Sequence, residues 1–545
     1  MGERGLEAHR ERLLRRGDYI WGSWVKPESV DGYIVGVNPG DRNDVLGRFS
    51  FSEASVDDAV DCAQRGSVYW RRHSHAERAK AIRKYRDVLA QKQDSFANLV
   101  TRETGKPWWE ARQEVMAAIR AVDLLLEDGL PLLDPRILNE REARSDYRPR
   151  GVVGVLVPYS LPLLIPTLHT CAALLAGNTV VLKPSKFTPG VGQAVAEAFD
   201  RCRLPRGTFN MVQGSGAVIG ERLATHPGID ALMFSGSHAT AVKLRKAGAE
   251  RPELPALLQC GGKGAAIVVG GCEIDRAVYE VLVGAFLTCG QRHNSTGRVI
   301  VTEDIHDWFL SELARRVRNV RIGYGFEDET FLGPLISENF RTRYRRYGRA
   351  LMERGHRPVM EARNREVRDR RGFYVQPAVY MIDDWQAGHP FLNDEPPGPT
   401  LLVYKVPSWE DAVALHNQLQ YRGATSLFVS PDFPELAEMI QRLRTGALNI
   451  NRGTIGSSLR LPSAALGRGS NGIAGGIDLL RFLSTPRSTL VDNRKFDESQ
   501  MVPGIVWNVE DRSEAPTELM GEDETEDAAA TVGMDAEMSR GSSGG

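Results

Sequence analysis

No stretch of this sequence is both long and apolar enough to suggest a membrane span. The most apolar region, Gly151 to Leu182, is cut by Pro158, Pro162 and Pro166, so its runs fall short of the ~20 residues a spanning helix needs. The opening MGERGLEAHRERLLRRG is charged; it lacks the apolar centre of a secretory signal and any lipidation motif, and a cytoplasmic protein is expected. Cysteine is scarce: Cys62, Cys171, Cys202, Cys260, Cys272 and Cys289 form no CxxC pair and show no histidine spacing suited to zinc, so reduced thiols are expected and no metal site. Excess charge is also missing, at 69 basic against 70 acidic side chains. The basic residues are spread along the chain with no nucleic-acid motif, so no nucleic-acid partner is expected. The near-zero total hides an asymmetry, because residues 510–545 carry eleven acids against two bases and leave the body at +8.

What the chain does have is 545 residues of which 42% are hydrophobic, enough to build large cores in two or three globular units. Between about 151 and 270, β-rich apolar runs alternate with helical stretches. VVGVLV (152–157), TVVLKP (179–184), TFNMV (208–212) and ALMF (231–234) read as strands. Helices are expected over 166–176, up to 201, over 216–224 and from 237. Such alternation predicts an α/β fold with a doubly wound, nucleotide-binding sheet. A second unit starts near AAIVV (265–269), with a helix over 273–288, the strand RVIV (298–301), a helix from 304 and further α/β alternation to Asn451. Helical patterns at 55–71, 75–93 and 109–127 pack back on the first unit. From 499 the chain is acidic, Ser/Gly-rich and poor in aromatics; it cannot bury enough surface to offset ordering, and disorder is expected.

Two features suit a nucleotide. Lys183 ends a strand at the carboxyl edge of the sheet, where a cation can hold a ribose or phosphate. FSGS (234–237) runs from strand to helix and sets Gly236 and Ser237 at a helix N-terminus, a natural pyrophosphate site. QGSGAVIG (213–220), with Gly214, adds a weaker glycine signal.

ETGKP (103–107) with Glu110 and Glu114, VPYSLP (157–162), LAGNTVVLKPS (175–185), FNMVQG (209–214), FSGS, CGGKGAAIVV (260–269), GQRH (290–293), DEPPGP (394–399) and LNINRGT (448–454) occur in an order that resembles the aldehyde dehydrogenase superfamily. GQR and RTGALNINRGT look most like its succinylglutamic semialdehyde branch. The resemblance implies a nucleotide-binding domain of residues 18–136 and 156–258, an α/β catalytic-type domain of 259–451, and a small β-flap of 137–155 and 475–497 that joins subunits into a dimer or larger homo-oligomer. It implies NAD or NADP held by Lys183, Lys186, Gly214, Ser235, Gly236, Ser237 and Glu395, and a small aldehyde or semialdehyde as substrate. Lys186 stands where the family commonly has an acid, and Pro397 replaces an aromatic.

The same resemblance puts His293 at the nucleophile's position, Gln259 at the general base's and Ser160 at that of the oxyanion-stabilising asparagine. Ser463 stands for an aromatic of the aldehyde tunnel. Covalent aldehyde oxidation needs a thiolate, oxyanion donors and a base to activate water. An amide has no usable proton affinity near neutral pH, and imidazole is a poor substitute for the thiolate. The expectation is therefore a catalytically impaired relative, a pseudoenzyme. The alternative is an active NAD(P)-dependent oxidoreductase with a substitute thiol. Cys289, four residues before His293, would lie one turn away if that segment were helical; Cys260 adjoins Gln259.

Overall fold

The computed structural model describes residues 17–138, 143–383, 391, 393–505 and 507. The chain divides into two compact units, Met1–Leu490 and Val491–Gly545. Of the tail expected to be disordered, 506 and 508–545 lie outside the described residues.

Four of the seven strands of the first sheet are those that the sequence pattern predicts. Its parallel strands Ala256–Cys260, Ala231–Gly236, Val152–Leu156, Thr179–Lys183 and Phe209–Met211 are joined in that order, and Asp18–Ile20 and Ser23–Val25 add an antiparallel edge. Both faces are covered. Val180 and Leu182 enter one apolar cluster with the His75–Gln91, Trp108–Leu124 and Leu164–Leu175 helices, while Val181 between them joins another under the Ala54–Trp70 helix. Period-two alternation thus buries the strand on both sides, which explains its unbroken apolar run. The parallel strands start mid-sheet at Val152–Leu156 and fill one side and then the other, so a switch-point crevice opens at the carboxyl ends of Val152–Leu156 and Ala231–Gly236.

The second sheet runs Arg357–Met360, Ala378–Ile382, Thr400–Val406, Thr296–Thr302, Gly264–Val268, Ala424–Phe428 and Ala447–Ile450, parallel except for its first strand. Cys260 ends the first sheet and Gly264 begins the second. The two sheets therefore meet end to end over three residues, and the Gly264 N–H donates to the Ser295 carbonyl (2.7 Å) at that junction.

Three boundaries differ from expectation. The strand Ala256–Cys260 belongs to the first sheet, so a division at 258/259 would cut it. Val152–Leu156 is a central strand of that sheet and no part of a flap. The three-stranded flap consists of Arg136–Leu138, Ala143–Pro149 and Ser484–Leu490, paired antiparallel, with 139–142 outside the described residues. A helix absent from the sequence reading, Gln93–Thr104, follows His75–Gln91 after a single residue. It buries Phe96, Ala97 and Val100 and stops at Gly105 in the left-handed conformation (φ 74°). No helix among the described residues is long and apolar enough to cross a membrane.

Asn178 ties flap and sheet together. Fully buried, its Oδ1 accepts from the Arg150 and Gly151 N–H groups (2.7 and 3.0 Å), and its Nδ2 donates to the Ala173 and Leu483 carbonyls (3.1 and 2.9 Å). Asn178→Ala leaves the Arg150 and Gly151 N–H groups and the Leu483 carbonyl without this partner, while the Ala173 carbonyl keeps the backbone N–H of residue 178. It should lower stability by about 3 kcal/mol, read as a reduced denaturant midpoint; an unchanged midpoint would show that the joint is not needed.

Candidate active site

The site forms where the carboxyl edge of the first sheet faces the amino edge of the second. Ser235 and Gln259 are register partners on neighbouring parallel strands, so their side chains project to the same face. The Ser235 hydroxyl donates to Gln259 Oε1 (2.8 Å). That leaves the Gln259 amide N–H to meet His293 Nε2 at 3.3 Å. His293 sits in the loop before the Thr296–Thr302 strand, and the contact joins the two sheets. An imidazole that accepts at Nε2 carries its proton on Nδ1. Burial, and then the Arg292 guanidinium, push its pKa down to about 4, so it is neutral at physiological pH.

Arg292 is held from the opposite side. Its guanidinium pairs with Glu110 (2.9 Å) and donates to the Thr288 hydroxyl (2.6 Å), while Thr288 also donates to Glu110. One turn along the Trp108–Leu124 helix, Glu114 pairs with Lys106 and accepts from the N–H groups of Leu163 (2.9 Å) and Leu164 (3.2 Å). Both carboxylates are buried on an otherwise apolar helix face that includes Ala111, Val115 and Ala118. That spacing was legible as a signal: two acids four apart on a buried stripe demand partners. Their partners, far along the chain, were not.

A cavity of about 250 Å³ opens beside this network, lined by Gln259, Cys260, Arg292 and His293, by Ala117, Leu161, Leu164 and Leu168, and by Ser457, Ser458, Ser463 and Tyr421. Gln259, His293 and Ser463 thus come together as the sequence positions suggest. Ser160 does not join them: it is buried, makes no hydrogen bond among the described residues, and its neighbour Leu161 reaches the cavity instead. The loop is anchored by Tyr159, whose hydroxyl donates to Gln291 Oε1 (3.3 Å).

The substitute thiols fare differently from expectation. The helix expected over 273–288 ends at Phe286, and Thr288 and Cys289 both adopt left-handed backbone angles (φ 55° and 53°). Cys289 and His293 are therefore not a helical turn apart. Cys289 packs in the core of the second sheet, outside the cavity lining, and burial drives its thiol far above the usual range. Cys260 does line the cavity, yet burial, reinforced by Glu395, pushes its thiol up to about 11. Neither is an activated thiolate.

The nucleotide-binding candidates gather at the same sheet edge. Lys183 is buried, donates to the carbonyls of Pro184 (2.6 Å) and Gly214 (3.3 Å), and is pushed down to about 8 by burial and by Lys186. Lys186 is exposed, with its ammonium 5.3 Å above the Phe187 ring. Gly214 needs its conformation: at φ 146° an added Cβ would fall 2.1 Å from Ile219. Ser237 caps the His238–Ala247 helix by accepting from the Thr240 N–H (3.2 Å), which fixes that helix's positive end at the tip of the Ala231–Gly236 strand. Glu395 abuts Gly261, its carboxylate 2.6 Å from where a Cβ would stand. Pro397 is buried, and its carbonyl accepts from the Thr400 hydroxyl (2.7 Å). Helix terminus, cations and carboxylate fit a dinucleotide: positive charge for its diphosphate and an acceptor for a ribose hydroxyl. No cluster of three His, Cys, Asp or Glu side chains able to hold a metal occurs among the described residues.

The profile of the "Aldehyde dehydrogenase family" matches residues 24–488. The alpha-ketoglutaric semialdehyde dehydrogenase of Bacillus subtilis (strain 168) is 30% identical over 459 residues, covering 83% of this chain and 93% of its own length. An N-succinylglutamate 5-semialdehyde dehydrogenase of Burkholderia vietnamiensis is 31% identical over 461 residues, covering 83% and 92%. Among solved structures, an NAD-dependent aldehyde dehydrogenase from Sinorhizobium meliloti superposes with a TM-score of 0.84 at 27% identity, covering 90% of this chain and 97% of that one. A structure described as an E. coli NADP-dependent enzyme gives 0.81 at 26%, covering 88% and 99%.

The depressed pKa of His293 has a consequence for stability. The folded value lies below the unfolded one of 6.5, so acid favours the unfolded chain and stability falls as pH drops from about 6.5 towards 4. His293→Gln should flatten this acid limb in denaturant midpoints measured between pH 7.5 and 4.5. His416, also pushed down to about 4 by burial, keeps part of the slope in both proteins. An identical slope in the variant would show that His293 is not buried neutral.

Proposed function

This chain belongs to the aldehyde dehydrogenase family, and on that premise we propose that it keeps the family's frame and dinucleotide-binding edge but has lost the covalent route of aldehyde oxidation. The observation that carries this reading is the closed Ser235–Gln259–His293 chain. A thiolate and a base would have to face the cavity there. Instead an amide donates to the lone pair with which the imidazole would attack, and the amide's own oxygen is taken by Ser235. Neither side chain is left a free basic or nucleophilic atom to offer, and the other ring nitrogen carries the proton.

The residues at the first sheet's edge still suit a cofactor. Ser237 and the helix it caps would receive the diphosphate, Lys183 and Lys186 would attract the adenosine end, and Glu395 would accept from a ribose hydroxyl. A bound nicotinamide dinucleotide would supply a hydride acceptor. Lys186, a cation where an acid would repel extra phosphate, leaves both NAD and NADP admissible. The cavity, with apolar walls, a serine rim and Arg292 committed to Glu110, suits a small aldehyde or semialdehyde. The named relatives act on semialdehydes, which supports the same ligand class here. Unpaired cysteines fit a cytoplasmic setting, and the exposed Ile137 and Leu490 of the flap (63% and 82%) fit pairing with another copy in a homo-oligomer.

The test is aldehyde-dependent NADH and NADPH formation by the purified protein, with succinylglutamic semialdehyde among the aldehydes, beside the double variant His293→Cys, Gln259→Glu. The natural protein should show no turnover above background, and the double variant should gain at least about 100-fold. Robust turnover by the natural protein would overturn the reading, and a dependence on Cys260 would then identify the replacement thiol.

A further inference from the structure

A second concavity, of about 520 Å³, shares none of the lining of the cavity beside His293. Its walls come from Asn98, from Trp108 and Trp109, and from Phe326, Glu327 and Asp328 on the loop before Leu332. The tryptophans open the Trp108–Leu124 helix and are pinned to that loop. The Trp108 backbone N–H donates to the Gly325 carbonyl (2.7 Å), and the Trp109 indole N–H donates to the Thr330 carbonyl (2.8 Å). The Trp108 and Phe326 rings lie 5.9 Å apart at 33°. Trp109 is 37% exposed and Phe326 36%, so aromatic surface remains open to a ligand.

The charged side chains that line the concavity, Glu327, Asp328 and Glu329, are all acidic. Glu327 accepts from the Tyr324 N–H (3.3 Å), and the neighbouring Glu329 pairs with Arg321. Asp328 makes no hydrogen bond or ion pair among the described residues. The protein covers other rings with its own cations: Arg48 lies 3.5 Å over Tyr33 and Arg370 lies 4.0 Å over Tyr324. Among the described residues none lies over Trp108, Trp109 or Phe326.

We propose that this concavity binds a small organic cation whose ammonium is skirted by methyl or methylene groups. The carboxylates repel anions, and a neutral apolar ligand would gain nothing from Asp328. A bare alkali ion would have to give up tightly held water to sit against indole rings. An alkylated ammonium is weakly hydrated and matches both walls: its charge meets the aromatic faces and the carboxylate, and its alkyl skirt covers apolar surface. The site stands independently of whether the His293 cavity is catalytic.

Titration calorimetry on the full chain, at constant ionic strength, tests this with tetramethylammonium, spermidine and potassium as probes. Tetramethylammonium should bind saturably and potassium should not. Phe326→Leu keeps an apolar wall without a π face, and Asp328→Asn removes one exposed charge. Each should weaken tetramethylammonium by about fivefold, the equivalent of a contact of about 1 kcal/mol, with thermal midpoints unchanged. Binding of spermidine without tetramethylammonium, or affinity that survives both substitutions, would reduce the feature to unspecific surface charge and overturn the proposal. Absence of any saturable binding would do the same.

Discussion

The site depends on one buried ion pair. Glu110, wholly buried, holds Arg292, and Arg292 is covalently next to His293. Through this contact the Trp108–Leu124 helix, packed on the first sheet, fixes a loop that belongs to the second. Charges removed from water bind each other firmly only with good geometry and further hydrogen bonds, and removing one partner of such a pair typically costs about 3–5 kcal/mol. Thr288 supplies the extra bonds by donating to Glu110 and accepting from Arg292. Glu114 does parallel work one turn on by capping the N–H groups of Leu163 and Leu164, which positions the loop from Pro158. One helix thus aligns both walls of the cavity.

Within that frame, the chemistry turns on which atoms are occupied. The Gln259 side-chain oxygen accepts from Ser235, and its amide nitrogen meets His293. A catalytic base or nucleophile must keep a lone pair directed at the substrate. In the Ser235–Gln259–His293 chain each member has at least one polar partner, as a buried polar network needs. The Gln259–His293 contact also links the two sheets near the junction at 260–264.

Four of the five parallel strands of the first sheet were legible because each is a short, continuous apolar run between turn residues, as two-sided burial produces; Ala256–Cys260, with its polar Gln259, was not read as a strand. The expected helices from 166 to 247 matched within a few residues for the same reason, aided by Gly177 (φ 93°) and by the Ser237 cap. The helix Gln93–Thr104 was hidden by its neighbour, since a single residue separates two helical patterns. The end of the 274–286 helix was not legible either. Thr288 and Cys289 carry ordinary side chains, and nothing in their local sequence announces left-handed angles; in the fold, Thr288 with those angles bonds to Glu110 and Arg292. The expected Cys289–His293 neighbourhood failed on that turn alone.

The sequence by itself determined the α/β class and four of the strands that build the first sheet, because these follow from local periodicity. Only the tertiary structure decided that Gln259 and His293 bond to each other, that Ser160 stays out of the cavity while Leu161 enters it, and that Arg292 is anchored by an acid 182 positions earlier. Such pairings depend on which chain segments the two sheets bring within about 3 Å of one another, and no local pattern encodes that distance.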